Sequence, residues 1–390
     1  MNIVDFIVLA VVVLAALQGL RLGAIVQLFS FGGFLVGLYL GALLSSITVR
    51  WVHGESPRSV VALVTLLGVA ALCGTLGRIV GNLAFSRVHR GIAGTVDSAL
   101  GVVVAITASL LVAWLLANTF VNSSSLRLNA SIDQSRIIRS LDSVLPAPPS
   151  VFSRVQAFLS EQGFPPVFAQ LAPASAGPVT LPGSAQLQQA VARDGASTVK
   201  VWGYGCGEIQ EGSGFVVAPG IVVTNSHVIA GIARPMVDDV SGPHPTSVVL
   251  FDPSYDLAVM RVDGLGERPL QLDPAQVSRG VQAAVLGYPG GGPFTAVPAG
   301  VLAEFEAQGR DIYGQGLTVR NVYEIQAVVR PGNSGGPLVQ PDGDVIGVVF
   351  SRSTTDGDIG YALTSPGVLS RVIQAESASQ AVGTGPCVAG

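Results

Sequence analysis

The first 121 residues carry four apolar stretches, at 3–20, 23–44, 59–80 and 100–121, each 18 to 22 residues long. A helix rising about 1.5 Å per residue needs about 20 such residues to cross roughly 30 Å of hydrocarbon. The pattern therefore predicts a four-helix transmembrane module over residues 1–121. A cleaved signal peptide is the competing reading of the first stretch. It fits poorly, because Asp5 stands where a basic segment belongs and further spans follow at once. Charged residues make up only 12% of the 390-residue chain, and its mean hydropathy is +0.56, so the whole cannot be one water-soluble globule.

Charge divides the chain further. Up to Pro182 there are 10 Arg against 6 Asp and Glu; from Gly183 onward there are 10 Arg and 1 Lys against 19 Asp and Glu. A slightly basic, apolar half is thus joined to an acidic, ordinary half. The net charge of −4 gives no electrostatic ground for nucleic-acid binding. The first and third loops between the apolar stretches hold Arg21, Arg78, Arg87 and Arg90, and the second holds only Arg50 and Arg58. Basic loops stay in the cytoplasm. The expected topology is a multi-pass protein of the inner (plasma) membrane with everything after Val121 outside the cytoplasm.

Gly33, Gly37 and Gly41 repeat every four residues, as do Gly77 and Gly81, and Gly19 and Gly23. Such rows let helices in lipid approach closely. They suit a packed membrane unit with its own activity, or simply glycine-rich anchors. The Asp5-Phe-Ile run, Gly19-Leu-Arg-Leu-Gly23 and Val96-Asp97-Ser-Ala-Leu-Gly101 resemble the CvpA (colicin V production) membrane family.

Residues 122–182 read as a connector. An amphipathic helix is expected over 131–145, with Ile132, Ile137, Ile138, Leu141 and Leu145 at helical spacing, and a second short helix over 151–162. An Ala/Pro/Ser/Gly-rich linker follows at 172–183. Exposed linkers attract proteolytic nicking, and self-cleavage here is one expectation.

From 183 to 390 short Val- and Ile-rich runs alternate with Gly, Pro and Asp turns, which argues an all-β barrel or sandwich. Three motifs fall in order along them: Val223-Thr-Asn-Ser-His227-Val, Tyr255-Asp256-Leu-Ala-Val-Met-Arg261 and Arg330-Pro-Gly332-Asn333-Ser334-Gly335-Gly336-Pro337. A serine hydroxyl is nearly inert unless an adjacent base takes its proton. His227 can act as that base, and Asp256 can fix its tautomer and stabilise the imidazolium. The glycines around Ser334 let the Gly332 and Ser334 N–H groups converge on one point as an oxyanion hole. Taken singly, a strand-end histidine, a turn aspartate and a turn serine are common. In this order they point to a His-Asp-Ser triad working through an acyl-enzyme.

These motifs, with Gly343-Asp-Val-Ile-Gly347 and Ile359-Gly-Tyr-Ala-Leu363, resemble chymotrypsin-fold proteases of the HtrA type over about 186–372. The resemblance implies an all-β, chymotrypsin-like double β-barrel with the triad between the barrels. It also implies a pocket floor at Val328, six residues before Ser334, with Phe350 and Arg352 as neighbours. No carboxylate lies there to pair with a basic residue, so an uncharged residue before the cleaved bond is expected. Only some 18 residues follow Val372, too few for the PDZ domains of HtrA proteins. Asn333 stands where digestive proteases carry the Asp that pairs with a freed N-terminus, so that route of activation is not expected.

Fusion of the two modules is similar to that of membrane-anchored acid-resistance proteases. It implies cleavage of protein substrates in the periplasm or cell wall, with a role in acid or envelope stress. Cys73 lies within a predicted span. Cys206 and Cys387 are either two free thiols or a pair closing about 180 residues, and a pair requires an oxidising space. No metal-spaced His/Cys cluster and no phosphate loop is present, so no cofactor or metal is expected. A second class of function stays open: a transporter or signalling subunit whose protease-like domain only binds peptides.

Overall fold

The computed structural model describes residues 2–48, 55–85, 92–121, 126–149, 167–168, 172, 176–378 and 380–388. The chain divides into two compact units, Met1–Glu161 and Gln162–Ala389. The boundary falls inside the expected connector, whose second helix (151–162) lies outside the described residues.

Three described helices of the first unit are long and apolar enough to span a membrane: α1 (Ile3–Thr48), α2 (Glu55–Phe85) and α3 (Ile92–Phe120). The first two apolar stretches share α1, which is interrupted at Gly23 (φ 73°, ψ 169°). At the break Asp97 Oδ1 accepts from the Ala24 and Ile25 N–H groups at 3.1 and 3.2 Å. These are donors that the start of a helix leaves unpaired. The glycine rows are contact surfaces. A Cβ on Gly19 would lie 2.6 Å from the Gly101 carbonyl, and one on Gly37 would lie 2.7 Å from Ala70 Cα.

Two short helices, α4 (Leu126–Asp133) and α5 (Arg136–Asp142), replace the single helix expected over 131–145. Ser135 divides them: its extended backbone and its hydroxyl, accepting from Ile138 N, start α5 afresh. Asp5 Oδ1 accepts from Ser135 Oγ (2.6 Å) and Ile137 N (3.1 Å), and Asp142 Oδ1 accepts from Trp114 Nε1 (2.9 Å). Leu141 and Leu145 pack on a core of Leu38, Ala42, Leu66, Ala70 and Trp114.

The second unit opens with α6 (Ser184–Asp194) and then becomes β-structure. Six strands close a barrel: β1 (Thr198–Gly205), β2 (Glu208–Ala218), β3 (Ile221–Thr224), β4 (Met236–Asp239), β5 (Gly242–Asp252) and β6 (Leu257–Val262), in the order β1-β2-β3-β6-β5-β4. Its interior is Val199, Val201, Val216, Val222, Ile229, Ile232, Val237, Ala258 and Met260. β-Branched residues dominate there because they pack well on a pleated surface. Each such burial contributes about 1.5–3 kcal/mol.

The second sheet contains β7 (Gln271–Leu272), β8 (Gln282–Gly287), β9 (Thr295–Arg310), β10 (Leu317–Gln326), β11 (Pro337–Val339), β12 (Asp344–Arg352) and β13 (Ile359–Thr364). Its order is β11-β8-β9-β10-β13-β12-β7, and β11 also pairs with β12. A final helix, α8 (Ser365–Glu376), packs through Val368, Val372 and Ala375 on a core that both sheets share. Asp194, ending α6, is fully buried, and neither carboxylate oxygen has a hydrogen-bond partner among the described residues. Burial pushes its carboxyl up to about 6; Arg193 and Arg268 oppose the rise, and Asp344 and Asp342 add to it.

Candidate active site

His227 sits on a one-turn helix, α7 (Ser226–Ile229), that follows β3 directly. Asp256 ends the turn between β5 and β6 with a left-handed backbone (φ 65°), rare for a residue with a side chain. Two bonds maintain it: Asp256 N–H donates to Asp252 O (2.9 Å), and Asn225 Nδ2 donates to Asp256 O (2.8 Å). The strained backbone aims the carboxylate at the histidine. His227 Nδ1 lies 2.8 Å from Oδ2 and 3.0 Å from Oδ1 of Asp256. An ionised carboxylate can only accept. In the neutral ring the proton therefore sits on Nδ1, which leaves Nε2 its lone pair.

Ser334 comes from the loop between β10 and β11, in the other sheet. Its carbonyl accepts from Ser213 N–H (2.8 Å), and Ser213 Oγ donates to Gly332 O (2.6 Å) while accepting from Tyr288 N–H (2.9 Å). Gly212 is squeezed between the two halves: a Cβ there would meet Val228 at 2.6 Å and the Ser334 carbonyl at 3.1 Å. Gly335 (φ 83°) backs onto Ser213, Thr224 and Asn225 with no room for a side chain. The serine loop thus lies against Thr224 and Asn225, the residues just ahead of the turn that carries His227. No hydrogen bond joins the imidazole to the Ser334 hydroxyl. Bonds of this kind tighten once substrate fills a site.

The backbone around Ser334 alternates. Asn333, Gly335 and Gly336 donate to Arg330, Val349 and Asn333 carbonyls, whereas Gly332 and Ser334 N–H groups have no acceptor among the described residues. Pro331 O accepts from Gly290 N–H at 2.7 Å. In a trans peptide the carbonyl and the next N–H point in opposite directions, so Gly332 N–H faces away from Gly290. This backbone can receive a developing negative charge. Asn333 is buried and uses Oδ1 to accept from Arg330 N–H (2.9 Å), a neutral contact within the loop.

Among the expected pocket residues, Val328 is 42% exposed and Arg352 half-buried at the end of β12, where burial lowers its guanidinium from the usual range. Phe350 is fully buried in the shared core and offers no surface to a ligand. Cys206 and Cys387 form a disulfide, Cα–Cα 5.7 Å apart and 181 residues apart in sequence. Both sulfurs lie against Gly231, four residues after His227, where a Cβ would sit 2.6 and 2.8 Å from them. Ser213 has no counterpart among the sequence expectations. The Gly212-Ser-Gly-Phe215 run is the signal that marks it.

This arrangement is that of a trypsin-like serine protease, and residues 212–348 match the trypsin-like peptidase domain family. Residues 4–146 match the colicin V production protein family, which with the three apolar helices makes the chain an integral membrane protein. The serine protease Rv3671c of Mycobacterium tuberculosis is 35% identical over 390 residues, covering 98% of each chain. The chain belongs to the family of that protease. The crystal structure of the active form of the Rv3671c protease superimposes with a TM-score of 0.54 at 39% identity, over 56% of this chain and 97% of that one. The mitochondrial serine protease HTRA2 of Bos taurus is 37% identical over 164 residues, or 40% of this chain and 34% of that protein.

Proposed function

We propose that the chain is a membrane-anchored, extracytoplasmic serine endopeptidase with His227, Asp256 and Ser334 as its triad. The observation that carries this reading is the Asp256 carboxylate on His227 Nδ1, beside a serine loop packed against Thr224 and Asn225. Ser334 Oγ attacks the scissile carbonyl and passes its proton to His227 Nε2. Asp256 stabilises the imidazolium that forms. The tetrahedral oxyanion is received by Gly332 and Ser334 N–H, and His227 returns the proton to the leaving amine. Water then repeats the sequence on the acyl-enzyme. The β11–β12 pairing supports a second barrel, with the site between the two.

Four membrane crossings are supported by α1 itself. Asp5 near its start meets Ser135 and Ile137, while Leu38 and Ala42 near its end share a core with Leu141 and Leu145. A straight 46-residue helix would be about 69 Å long, too far to reach one short segment twice. Folding back at Gly23 brings both ends to α5. The arginine distribution and the disulfide together support a protease domain outside the cytoplasm. Resemblance to acid-resistance proteases supports protein substrates in the envelope and a role in acid or envelope stress, and the Ala/Pro/Ser/Gly-rich linker supports self-cleavage in the connector.

The absent His227–Ser334 hydrogen bond favours one other reading, a peptide-binding domain with a silent site. Labelling with a fluorophosphonate, with Ser334→Ala as control, separates the two. Labelling of the wild type alone supports the protease. No labelling of folded protein supports the silent site.

A further inference from the structure

Arg320 is among the most deeply buried side chains of the protein, at 1% exposure, and lies in the second sheet on β10. Its guanidinium reaches the turn that carries Asp256: Nε donates to Ser254 O (2.9 Å), and Nη2 donates to Arg310 O (2.7 Å). Beside it, Ile312 N–H donates to Pro253 O (3.1 Å). The β9–β10 hairpin therefore grips the two residues ahead of Tyr255 and Asp256.

A buried guanidinium is costly unless it is paired, and no described carboxylate lies within ion-pair distance of Arg320. The acidic groups that face it are engaged elsewhere. Asp252 pairs with Arg371 (2.9 Å), whose guanidinium also covers the Tyr255 ring. Asp311 accepts from the Tyr313, Gln315 and Gly316 N–H groups. Asp256 holds His227 and Ser226. Tyr255 and Arg310 complete the charged and titratable surroundings. Burial lowers the guanidinium from its usual range, and Asp256 leads the groups that oppose this.

We propose that Arg320 is a positioning residue for the His227–Asp256 pair: it fixes the aspartate turn from the opposite sheet and supplies the positive charge that keeps the carboxylate ionised and the imidazole neutral. This rests on the triad reading above. A fixed positive charge favours Asp256 as the anion and disfavours a second positive charge on His227.

The test is the rate of fluorophosphonate labelling against pH, on the full chain in detergent, for wild type, Arg320→Gln and Arg320→Lys, with Ser334→Ala as blank. Failure of the wild type to label would remove the triad reading itself. With wild type labelled, Arg320→Gln is expected to lower the rate and move the acid limb upward by about one pH unit, the scale of one charge at protein-like screening. Arg320→Lys keeps the charge without the planar fork, so it should lose rate while its acid limb stays in place. A folded Arg320→Gln with the wild-type limb overturns the proposal, since a merely structural role changes amplitude and not the limb. Should Arg320→Gln fail to fold, the lysine variant decides: a moved limb or an undiminished rate overturns it.

Discussion

Asp256 holds His227 at two places, accepting from the ring Nδ1 (2.8 Å to Oδ2) and from the backbone N–H (3.0 Å to Oδ1). Ring tautomer and backbone position are thus set by one carboxylate. Asp256→Asn presents a donor where an acceptor is needed and favours the wrong tautomer. Activity should fall by about four orders of magnitude in protein with wild-type melting. Peptide cleavage within tenfold of wild type would deny Asp256 this role.

Gly332 has φ 91°, and a Cβ there would lie 2.5 Å from Tyr288 O and 2.6 Å from Gly290 N. Gly332→Ala must displace the turn that points its N–H away from Gly290. A loss of about 100- to 1,000-fold in the acylation rate is expected, the usual consequence of losing one oxyanion donor. Stopped-flow or labelling kinetics measure it.

The Cys206–Cys387 bond ties the tail to the segment behind His227, where Gly231 N–H also donates to Thr384 O (3.2 Å) and Val382 N–H donates to Val248 O (2.8 Å). On the chain-entropy account, closing 181 residues is worth about 5 kcal/mol. Reduction should lower the melting temperature, release the tail to proteolysis and reduce activity. Unchanged melting with the bond shown to be reduced would contradict this.

Asp194 sets a pH dependence of unusual sign. Its carboxyl titrates at about 6 in the folded protein against an ordinary value of 3.8. The folded state therefore binds the proton more tightly, and stability falls as pH rises through this window. Acidification from pH 7 toward pH 4 should stabilise the protease unit through this group by up to about 3 kcal/mol. Asp194→Asn should raise stability at pH 7 and remove that part of the dependence. Denaturant melts at pH 7 and pH 5 decide the matter.

Val328, the exposed apolar residue six before Ser334, carries no carboxylate, and on the chymotrypsin-like reading it is the residue expected at the pocket floor. Profiling against a peptide library should return uncharged residues before the cleaved bond. Predominant cleavage after Arg or Lys would contradict it.

The parts of this protein legible in sequence are those whose physics is local. Span length is read from hydropathy alone, and the surroundings of His227, Asp256 and Ser334 lie within a few residues of each. The fusion of two apolar stretches into α1 escaped because a hydropathy window sees Arg21 and Gly23 only as a gap. Phe350 is apolar and near Arg352 in sequence, but β12 is buried on both faces, so strand alternation does not bring Phe350 to a surface. Ser213 and Arg320 act on partners 119 and 66 residues away, across the sheets. Nothing in a single sequence records those pairings.

His227 and Asp256 belong with one sheet and Ser334 with the other, so in the proposed triad neither sheet alone can complete the reaction. Activity then serves as a gauge of alignment. A slip of about an ångström between the sheets, too small to register as unfolding, is enough to cost roughly a hundredfold in rate.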